Sequence, residues 1–208
     1  MFEVLTELGI HEKVQFFFRG MFTVDAGGLL TFCYGQHTEL FGPDYHRVPA
    51  TTLTWIAGDL TLNSTRTLVI CSSAMDAIAF LSANFGSYQR IDQLLFISVG
   101  LLVCQSHIDL IRTISFGRKV CLVMPGHVLG AISDIKLAIG ICGYRVTVRI
   151  EPEGFVNINF RNQVYNFKPD ELSLSAFEKK TKFRSRIRTY KAKQGSGFLN
   201  LIQGEING

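Results

Sequence analysis

The stretch TLVICSSAMDAIAF, residues 67–80, decides the fold because it joins a continuous apolar run to a helix-like segment. The run TLVIC has the length of a buried strand, and two serines separate it from the helical part. The same rhythm continues downstream in the segments QLLFISVG (93–100), SHIDLIRTIS (106–115), RKVCLVMPG (118–126), AISDIKLAIGIC (131–142) and YRVTVRI (144–150). Apolar strands that alternate with helices predict an α/β fold, with a parallel sheet covered by helices on both faces.

The segments on either side of this region have a different pattern. Residues 1–12 predict a short helix, and residues 14–60 contain short aromatic and β-branched stretches that predict antiparallel hairpins. The segment FVNINFRNQVYNF (155–167) alternates apolar and polar residues, which predicts a hairpin with its turn at residues 161–163. We therefore divide the chain into a β-rich subdomain (1–65), an α/β domain (66–150), a β-hairpin extension (151–178) and a basic C-terminal arm (179–208).

The overall composition excludes several classes of protein. The chain of 208 residues has no uninterrupted apolar run of the roughly 18–20 residues that cross a bilayer. Its N-terminus lacks the basic start and the cleavage site of a signal peptide. Five cysteines occur without a CxxC spacing, so neither a disulfide framework nor a zinc site is indicated. We expect a cytoplasmic protein with no membrane partner.

The basic arm is the strongest positive indication of a function. The first 178 residues hold 13 basic and 16 acidic residues, whereas the 15 residues that follow hold eight basic residues and no acid. The basic residues of the arm are Lys179, Lys180, Lys182, Arg184, Arg186, Arg188, Lys191 and Lys193. Such a cluster favours contact with a nucleic-acid backbone. A solubilising tail, or contact with a protein partner or a membrane surface, remains an alternative.

Apolar residues interrupt the basic arm at regular intervals. In a helix, Phe183, Ile187 and Tyr190 would lie on one face at positions i, i+4 and i+7. That stripe could dock on the body of the protein and leave the charges facing outward. A disordered arm is the other interpretation. The residues that follow are rich in glycine and end with a small apolar cluster, Phe198, Leu199, Leu201 and Ile202.

The strand and helix at residues 67–80 resemble the first motif of Toprim domains, which occur in bacterial primases, type IA topoisomerases and primase-like proteins of bacterial mobile elements. In that motif a strand ends in Glu-Gly and an Asp follows in the next helix. Ser72 and Ser73 occupy the first two positions here, and Asp76 matches the third. Gly100 matches the glycine after the second strand of the family. Residues 10–65 also resemble the β-rich segment that precedes Toprim in primase-like proteins.

The third motif of the family is only partly present. Its Asp-x-Asp pair is replaced by Pro125 and His127, while the glycine that begins the next helix is matched by Gly130. The resemblance implies a magnesium site built from the three acids that are missing here, and magnesium prefers carboxylate oxygens. We therefore expect no catalytic residues, no bound metal and no cofactor.

The resulting expectation is a catalytically inactive Toprim-like protein. It would bind nucleic acid, with DNA favoured, or a replication or mobilisation protein, through the basic arm. The resemblance also implies an origin in a bacterial mobile or conjugative element.

Four other interpretations stay open. A phosphoryl-transfer enzyme could take its metal ligands from elsewhere, for example from Asp92, Asp109 or Asp134. The fold could instead serve as a protein-interaction scaffold that uses the aromatic residues of the N-terminal subdomain. Ser72 or Ser73 could form a hydrolase site with His127 and Asp76, although no G-x-S-x-G elbow is present. Gly126 and Gly130 could also leave backbone N–H groups free to hold an anion.

Overall fold

The computed structural model describes residues 2–61, 64–192, 197–200 and 202. Two short helices open the chain, α1 (Glu3–Glu7) and α2 (Glu12–Phe17). A four-stranded antiparallel sheet follows, with the strand order β1-β2-β3-β4. Its strands are β1 (Thr23–Val24), β2 (Leu30–Tyr34), β3 (His37–Gly42) and β4 (Tyr45–Arg47).

The centre of the molecule is a mixed five-stranded sheet. Its strands are β5 (Trp55–Ala57), β6 (Thr67–Cys71), β7 (Leu94–Ser98), β8 (Lys119–Val123) and, from far along the chain, β12 (Arg188–Thr189). The order is β12-β8-β6-β7-β5, and all neighbours pair in parallel except β5, which is antiparallel to β7. The connecting helices are α3 (Ala74–Ala83), α4 (Gln105–Ile114) and α5 (Val128–Ile141). The predicted α/β class is therefore confirmed, as a mixed sheet.

A second antiparallel sheet has three strands in the order β11-β10-β9. They are β9 (Thr147–Ile150), β10 (Val156–Phe160) and β11 (Gln163–Phe167). The hairpin predicted for residues 155–167 is confirmed, and Arg161 and Asn162 form its two-residue turn with φ of 52° and 63°. Helix α6 (Leu174–Thr181) follows this sheet. Single 3-10 turns lie at Phe85–Ser87, Ile91–Gln93 and Pro169–Glu171.

Two hydrophobic cores lie on opposite faces of the central sheet. One contains Phe96 and Cys71 together with α3 and the N-terminal helices and sheet. The other contains Ile70 and Ile97 together with α4, α5, α6 and the second antiparallel sheet. Successive residues of β6 and β7 alternate between these cores, so both faces of the strands are buried. This explains why the strand sequences are continuously apolar.

The N-terminal subdomain contains more helix than its sequence predicts. Residues 14–17 were expected in a strand because of their aromatic content, but they lie in α2. His11 caps this helix by accepting a hydrogen bond from the Lys13 N–H. Val14 and Phe18 are one turn apart and fully buried, so tertiary packing overrides the β preference of the aromatic run.

The strand at the end of the α/β region lies in a different sheet from the one predicted. Residues 144–150 were expected to extend the parallel sheet, but Thr147–Ile150 pairs antiparallel with β10. The reason lies in the composition of the segment, in which Arg145 and Arg149 alternate with valines. A strand of that pattern leaves one face in water, which suits an antiparallel sheet. The fourth parallel strand is instead β12, from the basic arm.

The described part of the basic arm between residues 182 and 192 contains no helix. Helix α6 ends at Thr181, and we name residues 182–192, which follow it, the strap. Phe183 and Ile187 pack into the core beside α5, whereas Tyr190 packs into the core on the other face of the sheet. The predicted helical stripe of these three residues is therefore wrong. The alternation of Lys182, Phe183 and Arg184 between solvent and core has the period of a strand.

A partly buried ion pair fastens the strap to α5. Lys191 Nζ lies 2.5 Å from Asp134 Oδ2 and donates to the carbonyl oxygens of Met124 and Pro125 at 2.9 and 3.1 Å. The Asp134 side chain is 1% exposed, and its Oδ1 has no hydrogen-bond partner among the described residues. Burial raises the pKa of the Asp134 carboxyl to about 6, although Lys191 opposes the shift.

Replacing Asp134 by Asn should change how the free energy of unfolding depends on pH. Because the folded-state pKa lies above the ordinary value of 3.8, Asp134 contributes stability below pH 4 that is lost as the pH rises through about 6. Urea denaturation of both proteins should therefore show the stability of D134N rising, relative to the wild type, by about 2–2.5 kcal/mol between pH 4 and pH 7.

The Asp92→Asn variant is the control for this experiment. The pairing of Asp92 with Arg90 lowers the pKa of that exposed carboxyl, so its effect has the opposite sign and falls mostly below pH 4. The difference between D92N and the wild type should therefore stay nearly constant from pH 4 to pH 7. A stability difference between D134N and the wild type that stays constant from pH 4 to pH 7 would contradict the prediction.

Candidate functional site

The predicted site residues converge at the carboxyl ends of the central strands. Ser72 and Asp76 follow β6, Gly100 follows β7, and Pro125 and His127 follow β8. These residues and Gly130 line a cavity of about 280 Å³, which we name the sheet-end cavity. Ser73 does not line the cavity, because its side chain is buried. Parallel strands end at the same edge of a sheet, and ligands of α/β proteins bind at this edge.

Ser72, Ser73 and Asp76 form a local cap at the start of α3. Ser73 Oγ accepts a hydrogen bond from the Asp76 N–H at 2.9 Å, as an N-cap residue does. The hydroxyls of Ser72 and Ser73 donate to Asp76 Oδ2 at 2.8 and 3.0 Å. Among the residues that the structure describes, Asp76 Oδ1 has only a long contact of 3.5 Å with the Leu199 N–H. One oxygen of Asp76 thus organises the cap, and the other retains hydrogen-bonding capacity.

Burial controls the acidity of this carboxyl. Desolvation raises the pKa of Asp76, and the hydroxyls of Ser72 and Ser73 oppose that shift because they stabilise the charged form. The negative charge of Glu39 nearby adds to the increase. No lysine or arginine among the described residues lines the sheet-end cavity.

Glu39 is the central residue that the sequence analysis missed. It lies on β3, is fully buried, and reaches the N-terminus of α3. Its Oε2 accepts from the Ala74 N–H at 2.8 Å and the Tyr34 hydroxyl at 2.6 Å, and its Oε1 accepts from the Met75 N–H at 3.1 Å. His46 Nε2 lies 3.0 Å from Oε1. Each carboxylate oxygen therefore has two partners, and the charge faces the positive end of the helix dipole.

The start of α5 forms the opposite wall of the cavity. His127 is the N-cap of this helix, and its Nδ1 lies 3.3 Å from the Gly130 N–H that donates to it. A Cβ added to Gly130 would lie 2.0 Å from the Pro125 carbonyl oxygen, so only glycine permits this close turn. The contacts do not support a Ser-His-Asp hydrolase site, because neither Ser72 nor Ser73 hydrogen-bonds to His127 in the described structure.

The alternative metal ligands do not assemble either. Within residues 2–61, 64–192, 197–200 and 202, no three His, Cys, Asp or Glu side chains could hold a metal ion together. Asp92 pairs with Arg90, Asp109 accepts from the Gln105 side chain, and Asp134 pairs with Lys191. Each of these three acids therefore has a separate structural partner.

Four basic residues of the arm line a second concave surface, which we name the basic groove. Its charged lining consists of Lys179, Lys182, Arg184, Arg186 and a single acid, Glu178. The Glu178 carboxylate accepts from both the N–H and the hydroxyl of Ser185, at 2.7 and 2.6 Å.

The other basic residues of the arm have separate positions. Lys180 donates to the Asn166 carbonyl, Arg188 is exposed on β12, and Lys191 belongs to the ion pair with Asp134. Lys193 lies outside the described residues, as does Leu201 of the C-terminal apolar cluster. The other three members of that cluster, Phe198, Leu199 and Ile202, are buried in the core beside α3.

Arg161 adds a basic residue beside the groove that the sequence analysis did not single out. Its guanidinium lies over the rings of Tyr144, Phe160 and Phe183, with distances to the centroids of 4.6, 4.9 and 5.4 Å. These contacts fix the orientation of a planar cation. The predicted hairpin turn indicated that Arg161 would lie at the surface. Its contact with Phe183 could not be predicted, because the two residues are distant in sequence.

No protein-family model, curated protein or solved structure matches this chain. In the described part of the chain, no helix is both long and apolar enough to cross a membrane.

Replacing Glu39 by Gln should destabilise the protein by about 2–4 kcal/mol. The NH2 group of the new side chain would replace one carboxylate oxygen, and the buried donors that this oxygen accepts from would lose their acceptor. Urea denaturation measures the change. Glu171→Gln is the matched control, since the Glu171 side chain is 62% exposed and its variant should remain within about 0.5 kcal/mol of the wild type. Equal stabilities of the two variants would show that the Glu39 contacts do not hold α3.

Replacing Gly130 by Ala should move α5 away from the Pro125 turn, because the added Cβ would overlap the backbone carbonyl. We expect a loss of about 2–3 kcal/mol in the free energy of unfolding. Gly86→Ala is the control, since a Cβ there meets no atom within 4 Å. A G130A variant as stable as G86A would contradict the described start of α5.

Proposed function

We propose that the protein binds nucleic acid through the basic groove and performs no phosphoryl transfer. The observation that carries this proposal is the alternation of exposed and buried side chains along the strap. Lys182, Arg184 and Arg186 are exposed, while Phe183, between the first two, is buried in the core and Ile187, which follows Arg186, is partly buried against it. Burial of these neighbours fixes the backbone that carries the three charges, so little backbone order has to be gained on binding.

The electrostatics of the groove support a polyanionic ligand. Glu178 is the one acid that lines it among the described residues, and the hydrogen bonds from Ser185 satisfy one of its oxygens. Arg161 and the exposed ring of Tyr144 lie beside it, through the contact of Phe183 with both. A line of cations next to an aromatic ring is typical of surfaces that bind phosphates and stack bases. DNA is the favoured ligand within this proposal.

We also propose that the central sheet is a Toprim-like domain that has lost its metal site. The order of β6, α3, β7, α4, β8 and α5 supports this, as do the close turns at Gly100 and Gly130. Ser72, Pro125 and His127 occupy the positions of the acids that Toprim enzymes use, and His127 serves here as a helix cap. Binding to a replication or mobilisation protein would be consistent with the same surface.

A protein-interaction scaffold is the second candidate function. Phe16 on α2 is 72% exposed and lines a surface pocket together with Phe2 and Arg19. Large exposed aromatic residues are enriched at binding sites for proteins. A Phe16→Ala variant should leave nucleic-acid affinity unchanged, which separates this surface from the basic groove.

The test of the proposed function is a triple substitution of Lys182, Arg184 and Arg186 by Gln. Fluorescence anisotropy with a labelled single-stranded and a labelled duplex DNA, over a series of salt concentrations, should show weaker binding. The slope of log K against log salt should become shallower by about 2–3, because each lost phosphate contact removes about 0.7–0.9. Deleting the arm is a poorer test, since it would also remove β12 from the central sheet.

The control carries the same change of net charge elsewhere. Lys13, Arg19 and Arg66 are exposed and lie outside the groove, so their replacement by Gln should leave the slope unchanged. Equal losses in the two triple variants would mean that net charge alone is responsible. Wild-type affinity that does not depend on salt would exclude the proposal.

A further inference from the structure

The sheet-end cavity has a lining that favours a particular kind of ligand. Most of its surface is apolar and comes from residues such as Val48, Val99, Met124 and Leu129. Its one carboxylate is Asp76, and no lysine or arginine among the described residues lines it. The cavity therefore combines an apolar body with one negative group, as binding sites for small molecules commonly do.

Asp76 has an oxygen available for a ligand. Its Oδ2 accepts both serine hydroxyls, while within the described part of the chain its Oδ1 makes only the 3.5 Å contact with the Leu199 N–H. A partly buried carboxylate is stabilised most by a cation that brings its own hydrogen-bond donors. Glu39, which lies close enough to raise the pKa of Asp76, adds to the negative potential.

A metal ion fits this lining poorly. No three ligating acids, histidines or cysteines meet in the described structure, and His127 Nδ1 already accepts the Gly130 N–H. An anion would face the Asp76 charge. An organic cation satisfies both parts of the lining, since its charge pairs with Asp76 and its carbon body covers the apolar wall.

We propose that the sheet-end cavity binds a small protonated amine carried on an apolar body. The ammonium group donates to Asp76 Oδ1, and the body lies against Met124, Leu101 and Leu129. The cavity volume of about 280 Å³ lies just below the roughly 300–1,000 Å³ of typical small-molecule pockets, so a small ligand suits it. Leu101 and Leu129, which are 62% and 52% exposed, form an apolar rim that such a body would cover.

The proposal is independent of the basic groove, because the two surfaces share no lining residue. An Asp76→Asn variant should leave nucleic-acid affinity unchanged. Failure of amine binding and failure of nucleic-acid binding would therefore be separate results.

The experiment is a titration of the full chain with phenethylamine at pH 7.5, followed by calorimetry and by amide NMR shifts. We expect saturable binding, at least tenfold weaker binding of neutral 2-phenylethanol, and no binding of phenylacetate. D76N should lower the phenethylamine affinity at least tenfold. The D92N variant carries the same charge change on the surface and should bind like the wild type.

Amide shifts in the wild-type protein test the location even if D76N folds poorly. The largest shifts should be at Ser72, Asp76, Gly100 and Gly130, with none at Arg184 or Arg186. Equal affinity for the amine and the alcohol, unchanged affinity in D76N, or shifts elsewhere would overturn the proposal. Preferential binding of phenylacetate would also overturn it and would indicate an anion site at the start of α5.

Discussion

The contact between Glu39 and the N-terminus of α3 is the interaction on which the arrangement of the site depends. A fully buried carboxylate is costly unless every lone pair is used, and here each oxygen has two partners. The contact joins β3 of the N-terminal sheet to the first helix of the central sheet. Because it fixes where α3 begins, it also fixes Ser73 as the N-cap and Asp76 as a wall of the cavity.

The second constraint is the position of β12 at the edge of the central sheet. An unpaired edge at β8 would expose backbone groups that can pair with other chains. The strap covers that edge, passes Phe183 and Ile187 into one core and Tyr190 into the other, and ends at the Lys191 and Asp134 ion pair. The backbone that carries its basic side chains is thus fixed by pairing with the sheet and by packing of its apolar residues. A charged tail with no apolar neighbours would have no such order.

The sequence predicted the elements whose pattern is local. The continuous apolar strands at 67–71, 94–98 and 119–123, and the helices between them, follow from residues close in the chain. The hairpin at 155–167 follows from its alternation in the same way. The convergence of Ser72, Asp76 and His127 at one end of the sheet follows from parallel topology alone.

What the sequence did not predict depends on partners far along the chain. The pairing of Arg188 and Thr189 with β8 joins residues more than 60 positions apart, and a two-residue strand has no periodic pattern of its own. Glu39 reaches Ala74 across 35 positions. The one local indication was that Glu39 shares a strand face with the buried Phe41, which marks an inward-facing carboxylate. Phe16 and Phe17 were assigned to a strand for a local reason. An aromatic run is equally compatible with a strand and with a packed helix.

The two proposed sites follow from how the protein distributes its charge. A magnesium ion carries two positive charges and prefers an octahedron of oxygen ligands, so a single carboxylate neutralises only half of its charge. In the described part of the chain, the sheet-end cavity has one carboxylate, Asp76, with one oxygen that makes only a long contact, and its charge balances a single positive charge. The proposed phosphate-binding residues instead line the basic groove. Catalysis of phosphoryl transfer requires metal and phosphate to meet at one point. Here the negative and the positive groups lie in separate sites, which favours binding without chemistry.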